Sequence, residues 1–310
     1  MLILKILGAA LLLYILVTLA LFLVSFLNLD KTPELPVKKP MHIQRCREGY
    51  AEFDAMDKED VWIESFDGHK LHGYFIPNQK TQKVVISFHG YNTEARKEYP
   101  LHHSYYQDGY TVLIVDQRGV GQSRGRFITM GLLERYDCLS WIDYVLQRFD
   151  GDVEILLEGL SMGASTIMMA AQDIRAPQVR GMIANCGFNS CTDQMEYTIT
   201  KLMHLPRVPV LATVKLYARV LAKYDMDAVT AAESLSRSDI PLLMIHGAKD
   251  SFVPFENLER IYPHARASHK KMVVCTHAAH GISRFEDREL HDQQIRSFLK
   301  ELDFRHRIPK

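Results

Sequence analysis

The sequence predicts an α/β protein, with a mostly parallel eight-stranded sheet flanked by helices, a small helical cap and one N-terminal transmembrane helix. Three observations lead to this prediction. Residues 6–29 are almost wholly apolar, short apolar runs alternate with helix-periodic segments from residue 61 onward, and residues 189–238 interrupt that alternation. Repeated strand–helix units are typical of a parallel sheet that helices cover on both faces.

The apolar N-terminal segment is long enough to cross a membrane. At about 1.5 Å of rise per residue, residues 6–29 can span a hydrocarbon core of about 30 Å. A cleaved signal peptide is the alternative, but its apolar region runs to only about 7–15 residues and ends at a small-residue cleavage site, which is missing here. We therefore predict a membrane anchor over residues 1–29.

The charges that flank the anchor leave its orientation open. Lys5 precedes the apolar run and three lysines lie between residues 31 and 39, which favours a cytoplasmic C-terminal domain. Long domains, however, cross membranes largely regardless of charge. Residues 30–48 contain three prolines and mixed charge and are predicted to form a linker. The globular domain is then expected over residues 49–310.

The predicted sheet begins with a hairpin. Residues 61–66 and 71–76 flank Asp67 and Gly68, a turn signal between two strands. Residues 94–108 are predicted to form a surface helix. The remaining strands are expected at 84–88, 111–115, 153–157, 181–184, 241–245 and 271–275.

The segment 189–238 is far longer than an ordinary connection between strands. It is rich in Met, Leu, Tyr and Val, and we interpret it as a helical cap over the C-terminal edge of the sheet. An ordinary crossover helix with a long loop is the alternative.

Composition argues against several classes of protein. The formal net charge is zero and no basic repeat occurs, so a nucleic-acid partner is not expected. The five cysteines are an odd number and widely spaced, which argues against a disulfide framework, although Cys186 and Cys191 could pair in an oxidising compartment. No zinc-type Cys or His spacing occurs, and no metal or other cofactor is implied.

The strand predicted at 153–157 leads into the most informative motif. Gly159, Ser161 and Gly163 form a G-x-S-x-G pattern, followed by a helix-periodic run that begins near Met162. A serine between two glycines at a strand–helix junction is typical of a nucleophile elbow, a sharp turn that presents the hydroxyl above the sheet edge. The glycines are expected because larger side chains would press into the adjoining strand or helix.

Several motifs in one order resemble the α/β-hydrolase superfamily, and the anchored layout resembles the N-terminally membrane-anchored serine hydrolases of Gram-positive bacteria. The resemblance covers residues 60 to 303. The motifs that carry it are His89-Gly90, Asp116-x-Arg118-Gly119-x-Gly121-x-Ser123, Gly159-x-Ser161-x-Gly163, His246-Gly247-x-x-Asp250 and His280-Gly281. The Asp116–Ser123 stretch is interpreted as structural, since it lacks the third glycine and the lysine of nucleotide loops.

The order of the motifs assigns roles in a serine mechanism. Ser161 is the expected nucleophile, and it needs a base to remove its proton. His280 after the last strand is the expected base, with His277 as its rival. Asp250 is the expected acid that orients the histidine. The rival acids Asp225, Asp227 and Asp239 fall in or near the cap.

Two backbone donors are expected to meet the oxyanion that forms during attack. Met162, immediately after the nucleophile, supplies one, and the resemblance points to Tyr91 for the other, with Asn92 as a less favoured donor. The predicted function is a membrane-anchored serine hydrolase that cleaves carboxylic esters with an apolar acyl or alkyl group. The alternatives are a peptidase or thioesterase that uses the same triad, or a non-catalytic membrane-tethered binding protein.

Overall fold

The computed structural model describes residues 1–27, 37, 39–78 and 81–306, with residues 304–306 described by backbone alone. The eight strands are β1 Glu59–Glu64, β2 Lys70–Ile76, β3 Lys83–Phe88, β4 Thr111–Val115, β5 Glu154–Leu160, β6 Val179–Asn185, β7 Leu242–Gly247 and β8 Lys270–Cys275. The helices are α1 Leu2–Phe26, α2 Pro40–Ala55, α3 Ala95–Glu98, α4 Glu134–Arg148, α5 Met162–Ala170, α6 Cys191–Tyr197, α7 Arg207–Leu221, α8 Ala231–Leu235, α9 Glu256–Ile261, α10 Ser283–Glu286 and α11 Arg288–His306.

The strands form one sheet in the order β1-β2-β4-β3-β5-β6-β7-β8. The first hairpin is antiparallel, β2 pairs antiparallel with β4, and all later pairs are parallel. The register aligns Phe88 with Gly159 and Leu160 with Asn185, so neighbouring parallel strands end at one edge. The predicted eight-stranded, mostly parallel sheet is confirmed.

Helices cover both faces of this sheet, and the alternation of side chains along the strands explains how. Val84 and Ile86 belong to one apolar core with Trp141 of α4 and Ile167 of α5. Their neighbour Val85 belongs to a second core, which also contains Phe53 of α2 and Ile295, Phe298 and Leu299 of α11. Strand β3 is therefore apolar on both faces, as a sheet covered on both sides requires.

Two predicted segments differ from the structure. Residues 94–108 do not form one surface helix; they contain the short α3 and a 3₁₀ turn, Tyr99–Leu101, whose residues are buried. Pro100 has no N–H and stops the helix after one turn.

The second part of the predicted linker 30–48 is helical, because α2 covers Pro40–Ala55. Pro40 stands in the first turn, where a missing N–H costs nothing, and Phe53 anchors the helix in the core. Most of residues 30–39 lies outside the described residues.

The insertion between β6 and β7 contains α6, a π-helical turn at Thr198–Leu202, α7 and α8. Helix α6 lies beside the loop after β7, because Gln194 Nε2 donates to the Phe252 carbonyl at 2.9 Å and Tyr197 Oη donates to the Ser251 carbonyl at 3.1 Å. Helix α7 lies instead against α1, the predicted membrane helix.

Helix α1 contains two different halves. Every side chain from Met1 to Leu13 is exposed, whereas Thr18, Leu21, Phe22 and Phe26 are buried against the globular domain. The helix is long and apolar enough to cross a membrane, a property that signal sequences share. Its second half is thus part of the folded domain, in contrast to a simple tether.

Candidate active site

Ser161 lies at the turn between β5 and α5 in a strained backbone conformation. Its φ is +54° and its ψ −114°, a region that non-glycine residues rarely adopt and that costs about 1–3 kcal/mol. The flanking glycines are required sterically. A Cβ on Gly163 would lie 2.0 Å from the Phe88 carbonyl oxygen, and a Cβ on Gly159 would lie 2.4 Å from the carbonyl carbon of Gly163.

The structure brings Ser161, His280 and Asp250 into one hydrogen-bonded chain. Ser161 Oγ lies 2.9 Å from Nε2 of His280, and His280 Nδ1 lies 2.7 Å from Oδ2 of Asp250. Because Asp250 accepts the N–H at Nδ1 of His280, Nε2 of the same ring is free to accept the serine proton. This is the arrangement that an activated serine requires.

Asp250 is fixed on all sides. Its Oδ1 accepts the backbone N–H groups of Phe252 and Val253 at 2.9 and 2.8 Å, and His246 Nε2 lies 3.3 Å from its Oδ2. Burial raises the pKa of Asp250, but His246 and His280 outweigh that effect and lower it to about 2. The carboxylate is therefore ionised at neutral pH and can stabilise a positive charge on His280.

His280 has a raised pKa. Burial lowers it, and Cys186 and Asp250 together more than reverse that effect. Cys186, Asp250 and His280 also form one of two groups whose metal-binding atoms lie within 4.8 Å of one another among the described residues; His103, His291 and Asp292 form the other. An ion in the first group would occupy the Asp250 carboxylate and the His280 imidazole, which bonds to Ser161, and so would compete with the serine arrangement.

The two expected oxyanion donors belong to segments that adjoin the nucleophile. Met162 begins α5, and its N–H belongs to the first turn, where helical partners are missing. The loop after β3 passes beside Ser161, since a Cβ on Gly90 would lie 3.4 Å from the serine Cβ. Tyr91 follows in that loop, and its phenol donates to the Ser25 carbonyl of α1 at 2.9 Å. Asn92 is the next residue, with φ +55°.

The rival residues occupy other environments. His277 is exposed and pairs with Asp287 at 2.7 Å. The three rival carboxylates make ion pairs with basic side chains: Asp225 with Arg219, Asp227 with Lys215 and Asp239 with Arg266. None of these four side chains contacts Ser161 within the described part of the chain.

The Asp116–Ser123 stretch has structural contacts. Asp116 Oδ2 lies 2.8 Å from Nδ1 of His72, and Arg118 makes a two-bond pair with the buried Asp137 at 2.6 and 2.7 Å. These contacts lock the loop after β4, in agreement with the structural interpretation of the motif.

The sequence profile of the family described as serine aminopeptidase, S33, matches residues 79–238, slightly more than half of the chain. The chain belongs to this family. It is accordingly a hydrolase with the α/β-hydrolase fold.

Related proteins cover most of the chain. The uncharacterized protein YqkD of Bacillus subtilis is 24% identical over 82% of this chain and 83% of its own. The uncharacterized protein YfhR of Escherichia coli O157:H7 is 27% identical over 79% of this chain and 82% of its own. The Bacillus relative agrees with the predicted resemblance to Gram-positive hydrolases.

Solved structures share the fold. The Pyrococcus furiosus esterase Pf2001 superposes with a TM-score of 0.65 at 22% identity, over 81% of this chain and 93% of its own. Est1E of Butyrivibrio proteoclasticus, with ferulic acid bound, superposes with a TM-score of 0.58 at 18% identity, over 78% and 98% of the two chains.

Sequence reasoning missed several residues that shape the site. Glu98 is buried and accepts the Gly90 N–H on both carboxylate oxygens, at 3.0 and 2.8 Å. His102 lies between Glu98 and Glu158, and both carboxylates raise the pKa of its imidazole against the effect of burial. Polar residues inside the apolar strands indicate a buried polar cluster, and Glu158, between Leu157 and Gly159 in β5, is such a residue.

Proposed function

We propose that this hydrolase is membrane-anchored through α1 and cleaves carboxylic esters that carry an apolar acyl or alkyl group, by way of an acyl-enzyme. The observation that carries the proposal is the continuous chain from Ser161 Oγ through His280 to Asp250, at 2.9 and 2.7 Å. A serine hydroxyl becomes an effective nucleophile when a base within hydrogen-bond reach removes its proton during attack. The strained turn at Ser161 supports the same role.

In the proposed reaction, Ser161 Oγ forms a bond to the ester carbonyl carbon while its proton passes to His280 Nε2. The oxyanion is held by the backbone N–H groups of Met162 and Tyr91. The bond from carbon to the alcohol oxygen then breaks, and the proton on His280 passes to the departing alcohol. A water molecule attacks the acyl-enzyme in the same way, with His280 again as base, and releases the acid and free Ser161.

Asp250 holds the imidazole and stabilises its protonated form throughout. Because two backbone N–H groups fix its Oδ1, its Oδ2 is held toward His280. We expect removal of this carboxylate to cost roughly 10⁴-fold in turnover, the size of effect seen where the acid of such a triad is replaced by an amide.

Ester substrates are favoured by two observations. One of the superposed proteins, Pf2001, is an esterase, and α1 places an apolar segment next to the Tyr91 loop. Peptide hydrolysis is the second candidate, favoured by the description of the family as serine aminopeptidases. The same serine mechanism serves thioesters, and a non-catalytic binding protein is the alternative from another class.

The test is hydrolysis by the full chain in detergent micelles, with p-nitrophenyl esters of increasing acyl length beside thioesters and aminoacyl anilides. The proposal predicts measurable ester turnover that Ser161→Ala lowers by on the order of 10⁴-fold or more. Ser251→Ala, an exposed serine in the loop that follows Asp250, is the matched control and retains activity. Turnover of the anilides alone would establish the peptidase instead. A folded chain that binds the esters without any turnover would overturn the proposal in favour of a binding protein.

A further inference from the structure

Helix α7 and the turn before it present large apolar side chains to the outside of the protein. We define the cap face as the exposed residues Leu202, Met203, Val208, Leu216, Val220 and Leu221. Leu216 and Val220, four residues apart on α7, are 56% and 62% exposed. Large apolar patches on the outside of a domain mark sites that contact a partner or a membrane.

The cap face adjoins helix α1. Tyr14 Oη lies 2.7 Å from Thr213 Oγ1, and Thr18 Oγ1 lies 3.3 Å from Tyr217 Oη. Toward the C-terminal end of α1, the ring centroids of Phe26 and Tyr224 lie 6.1 Å apart. From one pair to the next the residue numbers increase on both sides, so α7 runs parallel to α1. Its N-terminal end therefore lies toward the exposed, N-terminal half of α1.

The length of α1 determines where α7 must lie if α1 spans a bilayer. Residues 2–13, which have no buried side chain, extend about 18 Å at about 1.5 Å per residue, whereas a hydrocarbon core is about 30 Å thick. The remaining 12 Å, roughly, must come from the eight residues Tyr14–Leu21. Those residues pack beside Thr213 and Tyr217 of α7, so a spanning α1 takes this part of α7 below the membrane surface.

We propose that the cap face is inserted into the leaflet next to the globular domain, beside residues Tyr14–Leu21 of α1, and that the partner it contacts is the phospholipid bilayer. This inference rests on the proposed membrane anchoring. Continuity with the apolar surface of α1 favours lipid over a second protein, because any partner on the cap face would also meet the exposed side chains of α1.

The charges on α7 fit an interfacial position. Arg207, Lys215 and Arg219 are its basic residues, and each pairs with a carboxylate, of Glu196, Asp227 and Asp225 respectively. Basic side chains bury their apolar stems and keep their charged ends in water or among phosphates. A helix with apolar residues on one side and arginine or lysine on the other is typical of segments that lie in a membrane interface.

This placement defines the class of substrate. Helix α1 borders the loop of the proposed site through Tyr91, and α6, which precedes the cap face in the chain, borders the loop after Asp250 through Tyr197. An ester dissolved in the bilayer would therefore reach Ser161 from the lipid side. We accordingly expect acyl esters that partition into membranes to be the preferred substrates.

The experiment places one environment-sensitive fluorophore at a time on the full chain in vesicles of phosphatidylcholine and phosphatidylglycerol. All five native cysteines are buried, so Leu216→Cys and Val220→Cys offer accessible thiols, and the unsubstituted chain measures background labelling. Leu12→Cys on α1 is the reference for insertion. Met272→Cys and Leu290→Cys, exposed apolar positions on β8 and α11, are the matched controls. Quenching by nitroxide-labelled lipids reports contact with the hydrocarbon.

We expect quenching at positions 12, 216 and 220 and none at positions 272 and 290. Quenching at 12 without quenching at 216 and 220 would overturn the inference while leaving the anchor in place. Absence of quenching at 12 would overturn the anchoring itself. Equal quenching at all five positions would also contradict the proposal, because the proposal requires that lipid contact be confined to α1 and the cap face.

A kinetic comparison gives a second readout. Leu216→Asp should lower, roughly tenfold, the ratio of turnover on a long-chain ester in vesicles to turnover on a water-soluble acetate ester, because a charge replaces an inserted apolar side chain. Met272→Asp should leave that ratio as in the unsubstituted chain. An unchanged ratio in Leu216→Asp would count against the inference. If the unsubstituted chain does not turn over the acetate ester at all, that result would count against the proposed hydrolase activity.

Discussion

The packing of α1 on the domain can be tested by removing one of its buried aromatic rings. Phe22 is fully buried and lies 5.1 Å from the ring of Phe26, 6.0 Å from that of Phe127 and 5.8 Å from that of Tyr217. A buried Phe→Ala substitution costs about 3–5 kcal/mol, because apolar contacts are lost and a cavity remains. Phe22→Ala should therefore weaken the contact between α1 and α7 by about 3 kcal/mol.

Hydrogen exchange measured by mass spectrometry reports this contact directly. A loss of about 3 kcal/mol corresponds to roughly 100-fold faster exchange in the peptide that covers residues 207–221, if its amides exchange by undocking from α1. The control is Leu16→Ala, on the exposed side of the same helix, which should change exchange by no more than about twofold to threefold, the effect of about 0.5 kcal/mol. Equal exchange in both variants would refute the docking of α1 on the cap.

Three further outcomes follow from the site and its supports. Gly163→Ala should prevent the elbow from folding, since the new Cβ would lie 2.0 Å from the Phe88 carbonyl oxygen; loss of the cooperative thermal transition in calorimetry is expected, and a wild-type melting temperature would contradict it. Arg118→Met should lower the free energy of unfolding by about 3–5 kcal/mol because it leaves Asp137 buried and unpaired. Burial raises the pKa of Asp137, so denaturant titrations should show a larger loss at pH 8 than at pH 5, where a neutral carboxyl is tolerated; the opposite order would exclude this cause. Finally, kcat/KM for an acetate ester should rise with pH through a pKa above 6.5, because His280 must be neutral to act as base and its pKa is raised; a profile that falls over this range would contradict the role of His280.

The sequence made the sheet and the nucleophile turn predictable because both leave local patterns. Apolar runs of strand length recur between helix-periodic segments, and the glycines around Ser161 stand where the structure leaves no space for a Cβ. His280 and Asp250 could be placed because they match motifs of the family that the chain resembles, each on a loop after a strand, and such loops meet at one edge of a parallel sheet. The contacts of His280 with Ser161 and with Asp250 agree with the predicted arrangement, while the catalytic roles remain a proposal.

Other features depend on contacts that a local pattern does not contain. Helix α1 is apolar on all sides, so its periodicity could not indicate that Thr18, Phe22 and Phe26 face the domain. The prolines and charges of residues 30–48 predicted a linker, although Pro40 in fact begins a helix that Phe53 holds in the core. Long-range packing decided both cases.

The bond between Glu98 and the Gly90 N–H is another long-range feature. It fixes the loop that carries Tyr91, yet Glu98 lies in a segment whose polar and aromatic composition predicts a surface helix. A buried carboxylate of this kind is recognisable only once the loop that it holds is known.

The most direct measurement for the proposed chemistry is labelling of the full chain in detergent micelles with a fluorophosphonate, followed by intact mass and peptide mapping. The account predicts one adduct, on Ser161, which is lost in Ser161→Ala, retained in Ser251→Ala and strongly slowed in Asp250→Asn. Absence of an adduct on the folded, unsubstituted chain, or an adduct that persists in Ser161→Ala, would contradict the assignment of Ser161 as the activated nucleophile.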